Sequence, residues 1–370
     1  MEEPSIFLSA GDLSGDNASA KLVASLKKLY PQSNFFGLGG SKLKALGQLQ
    51  LAEPEDLAVI GFWEVAKRFR FFSRLLKHCT EEIKKRRPQA IILVDYPGFN
   101  LRLAKRVRSL GIPIIYYISP QVWAWGKKRV KTIKEVVDLM LLILPFEEKF
   151  FVSYGTNCHF VGHYLLEEIP KEYISSPISQ KKQIALLPGS RKQEIELMLS
   201  PMLETAKKFN NKYNTKTVVT GIRGLFDYDK YLKNYSDDNI TIGYDSPYKT
   251  IYESQLVLTA SGTATLETAI IGRPMVVVYK TGFLTYWIAR YLLKLDKIAL
   301  VNLTLDEKVV PELIQYDANA EKMFLELEKF YNNSQYFESV KKRLNQVPQL
   351  LGGKGASQRA AQLIYEFLKL

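Results

Sequence analysis

Cysteine, histidine and acidic residues are all in short supply in this chain. Its 370 residues include two cysteines, Cys79 and Cys158, and three histidines. Neither cysteine belongs to a Cys-x-x-Cys pair, and the histidines show no metal-ligand spacing. A disulfide scaffold and a zinc site are therefore not expected, and a reducing compartment fits. Long apolar runs are missing as well. The most apolar stretch, 136–146, contains Asp138 and falls far short of the ~20 residues a membrane span needs. It reads as a buried strand. The start, Met1-Glu2-Glu3-Pro4, has neither the basic region nor the apolar run of a secretory signal. The expectation is a cytoplasmic protein that meets membranes from one side only.

Acidic residues number 38 against 51 Lys plus Arg, a formal charge of +13. Such an excess suits a polyanionic partner: an anionic bilayer, phosphorylated substrates or nucleic acid. The chain carries no helix-turn-helix, RRM or zinc signature, which argues against nucleic acid. What is present is an ordinary apolar fraction of 46% and length enough for two α/β domains.

Short β-rich runs alternate with helical periodicity, the pattern of parallel sheets covered by helices. Strands are expected at 5–10, 90–94, 112–118 and 139–144. The stretch 167–182, with Pro170, Pro177 and three serines, reads as a linker between an N-terminal domain (1–166) and a C-terminal domain (183–350). Strands then resume at 184–187, 217–220, 255–259 and 275–279. A terminal helix follows a Gly-rich turn in 351–370. It has two destinations, its own N-terminal domain or that of a partner in a homodimer. Ser190 with Gln193 forms a capping-box pattern that starts a helix.

Four strand-to-helix turns carry the chemistry. Gly11 to Asp16, which includes Ser14, is neither a dinucleotide fingerprint nor a P-loop. It reads equally as a tight turn or as a binding loop. Asp95 ends an apolar strand, where a carboxylate can act as a general base toward a hydroxyl or merely cap a loop. Arg191 stands in the first turn of a helix, a suitable clamp for a diphosphate. Ser261 to Glu267 is the strongest of the four. Gly262 and Thr263 can donate to phosphates at a helix start, and Glu267 can accept from ribose hydroxyls.

A basic amphipathic segment suits an anionic lipid interface. Phe62, Val65, Phe69, Phe72 and Leu76 repeat at helical spacing, with Lys67, Arg70, Arg74 and Lys77 opposite them. Trp63 and Phe71 are displaced toward the basic side. The ordinary alternative is a helix packed on a core. A second aromatic-basic stretch covers 283–297.

Taken together, Ser-Ala-Gly-Asp-Leu-Ser-Gly-Asp (9–16), Val-Asp-Tyr-Pro-Gly-Phe-Asn (94–100), Tyr-Ile-Ser-Pro-Gln-Val-Trp-Ala-Trp (117–125), Leu-Pro-Phe-Glu (144–147), Phe-Val-Gly-His (160–163), Leu-Pro-Gly-Ser-Arg (187–191), Ser-Gly-Thr-Ala-Thr-Leu-Glu (261–267) and Val-Asn-Leu (301–303) resemble the lipid-A-disaccharide synthase family. The resemblance runs from about residue 5 to the C-terminus. It implies a GT-B fold of two Rossmann-like domains facing a cleft, and an inverting transfer that uses no metal or cofactor. The implied donor is UDP-2,3-diacylglucosamine, and the implied acceptor is 2,3-diacylglucosamine 1-phosphate. The products are the β-1,6 disaccharide and UDP, at the cytoplasmic face of the inner membrane. By the family's pattern Asp95 is the general base. Arg191 holds the diphosphate, Gly262, Thr263 and Glu267 surround UDP, Asn302 lies near the donor, and Ser14 faces the cleft. The chain departs from the pattern at Asp12 and Gly98, where relatives carry Glu and Asp. Membrane contact is assigned to Trp63, Phe69, Arg70, Phe71, Phe72 and Arg74.

Overall fold

A computed structural model describes residues 4–11, 13–52, 69–123, 128–235, 239–280 and 297–369. It divides into two compact units, 1–164 with 352–370, and 165–351. The first unit runs β1 (Ser5–Ala10), α1 (Leu13–Leu29), β2 (Asn34–Leu38), α2 (Ser41–Ala45), β3 (Leu49–Gln50), α3 (Phe69–Arg86), β4 (Ala90–Val94), α4 (Pro97–Val107), β5 (Ile114–Tyr117), α5 (Lys128–Val136), β6 (Leu139–Leu142), α6 (Pro145–Ser153) and β7 (Cys158–Phe160). Its seven strands are parallel, in the order β3-β2-β1-β4-β5-β6-β7. Near-continuous apolar strands such as Ala-Ile-Ile-Leu-Val at β4 are buried along their whole length. That is what a parallel sheet covered on both faces requires.

One core joins Phe7, Ile91, Leu93, Ile114 and Tyr116 of the strands to Leu75, Cys79 and Ile83 of α3, Leu103 and Val107 of α4, and Ile133 of α5. Burial pushes the Cys79 thiol up to about 12 and the Cys158 thiol up to about 11. Both sulfurs therefore act as packing atoms rather than nucleophiles.

The second unit contains α7 (Leu165–Glu168), β8 (Gln183–Leu187), α8 (Lys192–Tyr213), β9 (Lys216–Thr220), α9 (Tyr228–Leu232), β10 (Ile240–Gly243), α10 (Pro247–Glu253), β11 (Leu256–Ala260), α11 (Thr263–Ile271), β12 (Met275–Tyr279), α12 (Leu300–Leu305), β13 (Glu312–Ile314), α13 (Ala320–Asn332), α14 (Ser334–Leu344) and α15 (Val347–Leu350). Its six strands are parallel in the order β10-β9-β8-β11-β12-β13. The last helix, α16 (Ala356–Leu368), returns to the first unit and packs on α1, with Tyr365 and Tyr30 6.0 Å apart between ring centroids.

Residues 167–182 are folded onto the second unit. Arg273, fully buried, donates from Nη1 to the Ser176 carbonyl and from Nη2 to Ser176 Oγ and the Pro177 carbonyl, all within 3.0 Å. Tyr173 and Tyr252 stack at 4.3 Å beside this cation. Burial lowers Arg273 to about 10. The serines and prolines that resemble a linker in sequence supply the oxygens that satisfy a buried guanidinium.

Candidate active site

Each sheet reverses its winding once. In the first sheet the reversal lies between β1 and β4, and in the second between β8 and β11. Ligand crevices of open α/β sheets lie beyond the carboxyl ends of the strands at such a point. All four turns singled out from sequence sit there. Gly11–Asp16 follows β1, Asp95 follows β4, Pro188–Arg191 follows β8 and Ser261–Glu267 follows β11.

Asp95 and Tyr96 both adopt the left-handed region, at φ 43° and 47°. Such residues cost about 1–3 kcal/mol each unless their surroundings fix them. The fixing groups are visible. Tyr116 Oη donates to the Asp95 carbonyl at 2.6 Å and Asn100 Nδ2 to the same oxygen at 2.8 Å, while the Asp95 N–H donates to the Tyr117 carbonyl at 3.1 Å. Asn100 is fully buried, and its Oδ1 accepts from Ser9 Oγ at 2.7 Å. Gly11 is needed because a Cβ there would stand 2.3 Å from the Tyr96 ring. The two turns of the first unit are thus one interlocked piece, with Asp95 partly exposed at its edge.

Ser14 is exposed in the first turn of α1. Asp16 is buried and structural. Its carboxylate accepts from the N–H groups of Gly40, Lys42 and Leu43 at 2.8–3.2 Å. Asp12 lies outside the described residues.

In the second unit, α8 begins at Lys192 with Arg191 as its N-cap, so the capping reading is corrected by a residue. Glu194, not Gln193, reaches back, accepting from the Ser190 N–H at 3.4 Å and from Arg191 Nη1 at 3.2 Å. The Arg191 side chain remains 62% exposed, within reach of an incoming anion. Gly262 caps α11 at φ 149°, a conformation that L side chains rarely adopt. A Cβ there would meet nothing within 4 Å, so the space before the helix is open. The Thr265 N–H turns back to the Gly262 carbonyl at 3.1 Å, and those of Thr263 and Ala264 at the helix start are left for a ligand. Glu267, one turn on, is raised to about 7, first by burial and then by Glu168.

Two expectations change. Asn302 is fully buried and its hydrogen-bonding capacity is filled. Nδ2 donates to the Val310 carbonyl at 2.9 Å and to Glu312 Oε1 at 2.7 Å, and Oδ1 accepts from the N–H groups of Val309 and Val310. It shapes the 309–312 turn and has no atom left to offer a donor sugar. Phe72 is buried in the first core and Phe71 packs against it, so the Phe72 ring is not available to lipid. Arg70 and Arg74 are exposed on α3. Trp63, the side chain of Phe69 and residues 283–296 lie outside the described part.

Sequence reasoning overlooked Asn100, Tyr116 and Glu147. Glu147 is buried at the start of α6, where Oε1 accepts from Ser119 Oγ at 2.6 Å and Trp123 Nε1 at 3.0 Å, and Oε2 from the Leu144 N–H at 3.3 Å. Burial raises it to about 7 despite these donors. The signal was present: Glu147 closes Leu-Pro-Phe-Glu, and its donors belong to Ser-Pro-Gln-Val-Trp.

Comparison with known proteins bears on the fold and the family. The chain matches a solved putative UDP-N-acetylglucosamine 2-epimerase from Listeria monocytogenes with a TM-score of 0.72 at 13% identity, over 100% of this chain and 97% of that one. It matches CalG4, the calicheamicin glycosyltransferase, at 0.62 and 12%, over 100% and 99%. Likeness at such identity shows the fold alone, which is GT-B: two Rossmann-like parallel-sheet units in one chain. The lipid-A-disaccharide synthase of Myxococcus xanthus (strain DK1622) is 36% identical over 375 residues, covering 99% of this chain and 98% of the relative. The sequence pattern of the lipid-A-disaccharide synthetase family matches residues 6–367, and the chain belongs to that family of glycosyltransferases.

Proposed function

We propose that the chain transfers 2,3-diacylglucosamine from its UDP derivative to the 6-hydroxyl of 2,3-diacylglucosamine 1-phosphate. The products are the β-1,6 disaccharide 1-phosphate and UDP. The observation that carries this reading is the position of the four turns at the two switch points. Asp95 removes the proton of the acceptor hydroxyl as its oxygen forms a bond to C1 of the donor. The bond from C1 to UDP breaks on the opposite side, inverting the anomeric centre, and the electron pair leaves with the diphosphate. Arg191 and the first-turn N–H groups of α11 meet the charge that develops there. Glu267 accepts from the ribose, and Ser14 borders the acceptor.

Two acylated substrates call for a bilayer. No helix among the described residues is long and apolar enough to cross one. α3, α4 and α5 cover one sheet face and expose Arg70, Arg74, Arg102, Lys105, Arg106 and Lys131. This basic layer fits peripheral binding to an anionic, cytoplasmic membrane face. It supports the basic part of the membrane reading, with Arg70 and Arg74 in place of Phe72. The test of the chemistry is a pair of variants. Asp95→Asn should keep UDP affinity by calorimetry and lose turnover by at least a hundred-fold, whereas Arg191→Ala should weaken UDP binding. Parent-like turnover in Asp95→Asn removes it as the base.

A further inference from the structure

The loop after β5 is held in a way that the sheet does not require. Ile118, a β-branched residue, stands at φ 64°, a true outlier for its type that persists only where its surroundings enforce it. Its N–H donates to the Leu141 carbonyl of the next strand at 3.1 Å. Ser119 and Val122 beyond it are buried, and Trp123 is half-buried. The group beneath is Glu147, whose single oxygen Oε1 takes both Ser119 Oγ and Trp123 Nε1. Phe146 meets the Trp123 ring edge-on at 5.0 Å. The indole is therefore held at its nitrogen and by this perpendicular ring contact.

β4, β5 and β6 are neighbours, so this loop emerges beside Asp95. Asp95 is close enough for its charge to act on Glu147, and the Cys158 thiol also senses Glu147. A buried carboxylate near a second carboxylate is a poor choice for stability alone, because an apolar residue would avoid the desolvation. A half-buried aromatic locked in place beside a general base suits the apolar face of a sugar ring.

We propose that Glu147 is a positioning residue for the acceptor: it fixes the Ser119–Trp123 loop beside Asp95 so that Trp123 walls the acceptor's glucosamine ring. This rests on the reading of Asp95 as the base of the acceptor half. Locking the loop before binding removes ordering entropy from the encounter.

The test compares Glu147→Ala, Glu147→Gln and Ser119→Ala in the full chain, with each substrate varied in turn and UDP binding followed by calorimetry. Glu147→Ala should raise the acceptor KM or lower kcat by ten-fold or more, with UDP affinity unchanged. Glu147→Gln keeps an amide oxygen for Ser119 and Trp123 and should recover most of that loss. In a chain whose only tryptophan is Trp123, Glu147→Ala should shift the indole emission to the red. If Glu147→Ala does not fold, Ser119→Ala decides, with an expected two- to five-fold acceptor effect. Acceptor constants within two-fold of the parent in a folded Glu147→Ala, or an equal loss of UDP affinity, overturns the proposal. Should Asp95→Asn turn over normally, the base assignment fails by itself, and the acceptor KM of Glu147→Ala still decides the role of Glu147.

Discussion

Replacing Asn100 by Ala tests how the site is held together. Its side chain accepts from Ser9 and donates to the carbonyls of Asp95, at 2.8 Å, Val94, at 3.1 Å, and Ser9, at 3.4 Å, all in a fully buried setting. Each buried partner left without its bond costs about 1–3 kcal/mol. Two or three such partners come to roughly 2–9 kcal/mol. The left-handed pair Asp95 and Tyr96 stores a similar amount, about 2–6 kcal/mol for two residues. Tyr116 alone would then remain as a side-chain donor on the Asp95 carbonyl. The peptide can relax, and the carboxylate leaves the attack line. A ten- to hundred-fold loss of kcat, about 1.4–2.7 kcal/mol, is expected. With UDP assigned to Arg191 and Gly262 as proposed, UDP affinity should not change. Ser9→Ala removes one bond and leaves the buried Asn100 Oδ1 without its donor, so it should cost about 1–3 kcal/mol of stability. The assay is steady-state turnover beside calorimetric UDP titration. A folded Asn100→Ala that turns over within two-fold of the parent refutes the bracing argument.

Glu267 gives a pH prediction. Its folded pKa of about 7 lies above the ordinary 4.5. Its contribution to stability is therefore whole below about pH 4.5 and lost as pH rises through 7, to a limit of about 3 kcal/mol. Glu267→Gln should gain melting temperature relative to the parent between pH 5 and pH 8, and a difference that does not vary with pH contradicts this. Charge reversal at Arg70 and Arg74 should release the protein from anionic vesicles in sedimentation, with greater effect at low salt. Unaltered sedimentation would move the membrane contact off α3.

Much of the fold is readable along the chain because its signals are local. Apolar runs such as Ala90–Val94 and Met275–Tyr279, closed by Pro, Gly or Asp, mark strands within two residues of their observed ends. β2, β3, β7, β10 and β13 escape because they are short or mixed in polarity, and Gly37 interrupts β2 at φ 142°. The four turns are visible because βα turns of this kind need small or polar residues. The bracing is hidden because it is distant: Ser9 meets Asn100 across 91 positions and Arg273 meets Ser176 across 97. Phe72 and Asn302 mislead for one reason. Periodicity and motif membership locate a residue on an element, but the tertiary partners decide whether its side chain is still available.

Product analysis tests the proposed transfer most directly. The protein is incubated with UDP-2,3-diacylglucosamine and 2,3-diacylglucosamine 1-phosphate in mixed micelles, and the lipid is examined by mass spectrometry and by NMR of the new anomeric centre. A β-1,6-linked disaccharide 1-phosphate and one UDP per linkage are expected, with Asp95→Asn giving neither. Release of UDP without a disaccharide, or conversion of the donor sugar to an epimer, would contradict that transfer.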